Sequence, residues 1–206
     1  MILTLPTQPF FGLARLMELR IDVPQAPPWL GGGFDALHER LHTPGDRLYG
    51  LPRIPMADPK FQIRWREADG EFYLYVEDLS RKCLAGYTVF NRMVELGRRA
   101  DRCIRAPHSK YQLQYQRRGL ASAVYKWALD KGFCLMTGAR QSPGANALWH
   151  ALARRHQLGY VELRDKAITY LGREVSQVVL DSLHTRMLLL GKDWTVGRLS
   201  EATGMS

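Results

Sequence analysis

YQLQYQRRGLASAVYKWALDKG, residues 111–132, is the stretch whose reading decides the fold. It opens as the end of a strand, near Leu113. A basic turn follows, Gln116-Arg117-Arg118-Gly119-Leu120-Ala121, and a helix starts inside it. Over 119–131, Leu120, Val124, Trp127 and Ala128 share one helical face, and Gly132 stops the run. Strand, glycine-bearing turn and helix together make an anion site. The first N–H groups of a helix have no partner inside it, and the helix dipole adds partial positive charge there. Gly119 lets the backbone approach a phosphate closely, and Arg117 and Arg118 add full charges.

The surroundings fit this reading. Downstream, FCLMTG (133–138) is a short apolar run suited to a strand buried on both faces. GANALWHALARRH (144–156) is a second amphipathic helix, Gly159 ends it, and YVELRD (160–165) and TRMLLLG (185–191) read as strands. Residues 166–184 are ambiguous between helix and strand. Upstream, FQIRWRE (61–67), the turn Asp69-Gly70, EFYLYVED (71–78) and LAGYTVFNRM (84–93) form an antiparallel meander. Residues 102–113 make a fourth, less regular strand broken near Pro107. A helix is predicted over 33–42, an apolar helix within 1–20, and loops over 22–33 and 43–60. The order predicts a mixed α/β fold built on one sheet with helices packed against it.

The turn Gln116-Arg-Arg-Gly119-Leu-Ala121 resembles the signature of the GNAT superfamily of acyl-CoA-dependent N-acyltransferases. The likeness continues through Ser142-Pro-Gly-Ala145-Asn-Ala-Leu148-Trp149 to Gly159-Tyr160, a flavour similar to phage or mobile-element members. It implies a mostly antiparallel sheet with a splayed fourth and fifth strand pair and helices on both faces. It divides the chain into an acceptor-side segment (1–60), an acyl-CoA-binding core (61–191) and a tail (192–206). It implies acetyl-CoA or another acyl-CoA held by Leu113, Gln116, Arg117, Arg118, Gly119, Leu120, Ala121 and Ser142. The thioester carbonyl would take a backbone N–H near Tyr111 to Leu113. Ala121 stands for the signature's last glycine, Ser142 for an asparagine, and Trp149 for the tyrosine that often protonates the departing thiolate. An indole N–H is a poor acid, so Ser142, Tyr111 or water would serve instead.

Candidate bases for the amine are His108, Tyr111 and Glu77. An unperturbed histidine titrates in the range this task needs. Glu77, beside Asp78 at a strand end, reads more readily as turn chemistry. His150 and His156 fall on a solvated helix face, and His38, His42 and His184 look too scattered for a metal site, so no metal is expected.

The chain has 206 residues and a net charge of +9, an excess that favours polyanionic ligands. Eight basic residues, Arg92, Arg98, Arg99, Arg102, Arg105, Lys110, Arg117 and Arg118, crowd 92–118 against Glu95 and Asp101. This stretch leaves nucleic acid open as a partner, with acyl-CoA and an amine as the expected ligands and a homodimer as a further option. Two alternatives to a small-molecule N-acyltransferase therefore stand. One is an enzyme of the same fold directed to a modified base, tRNA or DNA-bound protein, and the other a non-catalytic interaction protein. Cys83, Cys103 and Cys134 are odd in number and widely spaced, which fits reduced thiols in a cytoplasmic protein. No apolar stretch reaches membrane-spanning length, and the N-terminus reads as mature sequence. WTVGRLSEATGMS (194–206) reads as a tail helix, suited to a subunit contact.

Overall fold

Alternating apolar residues and a two-residue turn set the first hairpin. In the computed structural model, which describes residues 33–206, strands β2 (Phe61–Ala68) and β3 (Glu71–Asp78) pair from Ala68↔Glu71 outward. Asp69 and Gly70 between them both take left-handed φ (55° and 75°), the twist that a tight hairpin needs. β4 (Cys83–Asn91) and β5 (Ile104–Tyr111) continue the meander antiparallel. The Pro44–Pro59 stretch is mostly loop, but Arg53–Pro55 forms β1 on the outer edge of β2.

The second half of the sheet is joined in parallel. β6 (Cys134–Met136) meets β5 only at Ile104↔Cys134 and Arg105↔Leu135. Beyond Arg105 the two strands part, and β5 runs on to Tyr111 without a β6 partner. With β7 (Leu158–Arg164), β8 (Ala167–Gly172) and β9 (Thr185–Leu189) the described residues form a nine-stranded sheet, β9 lying between β6 and β7.

Helices cover both faces. α3 (Leu120–Asp130) and α4 (Pro143–Ala153) bury Val124, Ala128, Trp149 and Leu152 against Leu74, Val76, Ala85 and Phe90. On the other face α1 (Phe34–His42) sets Leu37 and Leu41 against Tyr73, Tyr75, Tyr87 and Val89. α2 (Arg98–Cys103) and the C-terminal helix, Val196–Thr203, share a third cluster in which Leu199 and Met205 pack near Ile104 and Met136. The tail is thus part of this chain's own core, and Ser206 bonds the backbone of Ile168 and Tyr170 on β8.

The predicted mixed α/β sheet is therefore present, with the splayed parallel pair and helices on both faces. Two stretches depart from the expectation or settle it. Residues 98–103 are helical, so the fourth predicted strand starts at Ile104 rather than 102. The ambiguous 166–184 region holds β8 and a single turn of helix at Gln177–Leu180. The helix expected within 1–20 lies outside the described residues.

Candidate active site

The turn before α3 is held from below by the core. A single 3-10 turn, Leu113–Tyr115, follows β5, and Tyr115 is buried with its hydroxyl donating to Asp78 Oδ2 at 2.9 Å. Burial pushes the Asp78 carboxyl up. Hydrogen bonds from the Arg81 and Ser80 N–H groups and the Ser80 and Tyr115 hydroxyls outweigh it and hold the group below the usual range. Arg117 (φ 58°) and Gly119 (φ 79°) are left-handed and flank Arg118, an alternation that turns backbone N–H groups toward one concavity. The helix ladder begins with the Ala123 N–H on the Gly119 carbonyl (2.9 Å), so the N–H groups of Leu120, Ala121 and Ser122 precede it. Leu120 is buried and pins the turn, while the Arg118 guanidinium lies over the Phe61 and Tyr115 rings at 5.3 and 5.6 Å. Gln116, Arg117 and Leu113 are exposed beside it.

Behind this turn the end of β5 carries a hydroxyl network. Thr88 Oγ1 lies 2.8 Å from Ser109 Oγ and 3.2 Å from the Tyr111 hydroxyl, and Ser109 Oγ donates to the Tyr125 hydroxyl at 3.3 Å. Burial pushes Tyr125 up to about 12 and Tyr111 higher still, so both phenols stay protonated at neutral pH. Trp149 packs edge-on against Tyr125, ring centroids 6.4 Å apart, and is 3% exposed. It is a core residue, and Tyr125 is the phenol beside it.

The candidate residues do not converge on one point. His108 and Tyr111 are three residues apart on β5 and face opposite sides of the sheet. Tyr111 belongs to the α3 side, whereas His108 is paired with Val89 on the α1 side. Burial, with Lys110 as a lesser cause, lowers the His108 pKa. Ser142 caps α4, its hydroxyl accepting the Ala145 N–H at 3.2 Å. The Gln112 N–H, within the Tyr111-to-Leu113 segment expected to polarise a thioester, is donated to the Ala85 carbonyl. The basic stretch is likewise divided. Arg92 is paired with Asp101, and Arg105 is buried against the Asp101 and Ile104 carbonyls and the Phe72 ring.

Glu77, read from the sequence as turn chemistry, is instead buried at the centre of a polar cluster. Asp78 caps the turn, accepting from the N–H groups of Ser80 and Arg81. β4 bulges at Ala85, so that Val76 faces Gly86 and Glu77 faces Leu84. Glu77 Oε2 accepts from Arg64 Nε and from Gln62 Nε2 (2.9 Å), and Oε1 lies 2.6 Å from His42 Nε2. Burial pushes the Glu77 carboxyl up, but the bonds from Arg64, His42 and Gln62 prevail and hold it low. His38 Nε2 is 3.7 Å from the same Oε1. The expectation that His38 and His42 are scattered is thereby corrected. The signal was in the sequence, His38-x-x-x-His42 on one helix face, but Glu77 joins it only through the tertiary fold.

The antiparallel meander, the parted parallel pair, the turn at the start of α3 and the flanking helices have the order the resemblance implied. The fold is a mixed α/β sheet of mostly antiparallel strands with helices on both faces. No family model matches the chain, and no curated protein matches it. A search of solved structures finds a likeness to ribosomal-protein-S5-alanine acetyltransferase from Vibrio fischeri, 14% identical with a TM-score of 0.35 over 61% of this chain. The match spans 64% of the length of that structure. Among the described residues, no helix is long and apolar enough to cross a membrane.

Proposed function

We propose that the chain is an N-acyltransferase that moves an acetyl or other acyl group from acyl-CoA to an amine. The observation that carries this reading is the left-handed pair Arg117 and Gly119 at the start of α3, beside the end of β5. Among the described residues, a Cβ at Gly119 would meet nothing within 4 Å, so the space they leave over the turn is open and a pyrophosphate fits them. Leu120 and Ala121 offer backbone N–H groups to that charge, Arg117 and Arg118 neutralise it, and Gln116 and Leu113 flank the entry. When bound, acyl-CoA supplies the acyl group as a thioester open to attack at its carbonyl carbon.

The chain's own residues then manage protons. His108, kept neutral by its burial, takes the proton that the amine loses as its nitrogen bonds the acyl carbon. Tyr111, backed by Thr88, Ser109 and Tyr125, offers a proton toward the sulfur as the C–S bond breaks. Because the two residues face opposite sides of β5, the amine's proton reaches His108 through water rather than directly. Calorimetric titration with acetyl-CoA and CoA tests the reading. Micromolar binding is expected, weakened about ten-fold or more by Arg118→Glu with the melting temperature preserved, since a full charge beside the anion is reversed. A folded protein that binds neither ligand refutes it.

A further inference from the structure

The cluster on the α1 face has the makings of a cation site that the acyl-transfer reading does not use. Leu37 and Leu41, 1% and 0% exposed, fix the rotation of α1. His38 and His42 follow them by one residue each and so share the adjacent face, one turn apart. Their ring centroids are 4.6 Å apart, and the ligating atoms of His38, His42 and Glu77 all lie within 4.8 Å of one another. Donors bound at about 2.0–2.2 Å to a tetrahedral zinc lie about 3.3–3.6 Å apart, between the 2.6 and 3.7 Å separating Glu77 Oε1 from the two imidazoles. Small rotations of two histidine rings on one helix are enough to close the set.

The surroundings are already ordered for that role. Arg64 and Gln62 both bond Glu77 Oε2, which orients the carboxylate and leaves Oε1 toward the histidines. The histidines adjoin a cleft of about 310 Å³ that reaches Asp78, Leu79 and Lys82. Two imidazoles and one carboxylate with a fourth position open to a cleft is the donor set of a zinc ion that keeps an exchangeable ligand. From this geometry we infer that His38, His42 and Glu77 bind one zinc ion, with the fourth position open to water or an incoming ligand. Arg64 shares the carboxylate, which moderates affinity but not the choice of donors.

The test uses untagged full-length protein stripped with chelator, then titrated with Zn²⁺ by calorimetry and with Co²⁺ by visible absorption. The expected result is one equivalent of zinc bound at micromolar or tighter affinity. Cobalt should give the intense visible bands of a four-coordinate site, and zinc should raise the melting temperature. His42 is half-exposed, so His42→Ala should remain folded, and it and His38→Asn should each weaken zinc binding about ten-fold or more. His184→Ala should leave it unchanged. Glu77→Gln removes a charge that neutralises buried Arg64, so the histidine variants carry the test. A folded protein that binds no zinc, or binding that both histidine variants leave intact, overturns the inference and leaves a buried ion pair. Acetyl-CoA affinity does not enter, so this outcome stands apart from that of the acyltransferase reading.

Discussion

The Tyr111 ring occupies the space that a side chain at Gly86 would fill: a Cβ there would come 2.2 Å from the ring and 2.7 Å from the Lys110 carbonyl. The two residues are cross-strand partners, and the missing side chain gives the phenol its place next to Thr88. Gly86→Ala should therefore force Tyr111 or the β4–β5 ladder to move, costing about 1–3 kcal/mol as overpacking usually does. Chemical denaturation measures it. An unchanged midpoint would mean that Tyr111 is not held over Gly86.

Gly119 poses the opposite case. The described residues leave space around it, but its φ of 79° is one that side-chain-bearing residues adopt at a cost. Gly119→Ala should lower stability by about 1 kcal/mol. It should weaken acetyl-CoA binding by more than that loss implies, because the methyl group stands where the anion would approach. Stability loss with unaltered affinity would place the anion elsewhere.

How much of this the sequence disclosed depends on the range of the interactions. α3 and α4 were legible because Leu120, Val124 and Ala128, or Trp149 and Leu152, recur with the helix period itself. The β2–β3 hairpin was legible because Asp69-Gly70 spells its own turn. The β7–β8 hairpin was not. Its turn residues, Asp165 and Lys166, are both left-handed (φ 49° and 64°) without a glycine to announce them. Nor was the helix Arg98–Cys103 legible, because its buried residues are only Ala100 and Asp101, the latter tied to Arg92 and to the Met93 N–H. The acidic partner of His38 and His42 is set by the Ala85 bulge and by packing between distant segments, which no local pattern records.

His108 links pH to stability with a definite sign. Burial first, then Lys110 on the same face, puts its folded pKa below the ordinary 6.5. Between that value and 6.5 the unfolded chain binds a proton that the folded chain does not, so stability rises with pH there. The contribution is whole above 6.5 and is lost as pH falls through that window. His38 and His156, also lowered, act in the same direction. His108→Gln should thus lose measurably less stability than the parent between pH 7.5 and pH 5, read as melting temperatures at the two values. Should His108 take the amine's proton, the acid limb of kcat/KM also lies below 6.5 and disappears in the variant. Parallel pH–stability curves for parent and variant would show that burial does not depress His108.

α1 is anchored to the sheet by few residues, and Leu41 bears most directly on the histidine pair. It is 0% exposed against the aromatic layer of Tyr73, Tyr75 and Tyr87, and it precedes His42. Leu41→Ala removes its contacts and leaves a cavity, at a cost of about 2–5 kcal/mol. The α3 turn is built on the other face of the sheet, from Tyr115, Phe61 and Leu120. Unfolding by denaturant should therefore show the full loss, while acetyl-CoA affinity below the transition stays within about two-fold, since sites without shared partners respond independently. A large fall in affinity in the folded variant would show instead that the α1 face and the α3 turn are coupled through β3 and β4.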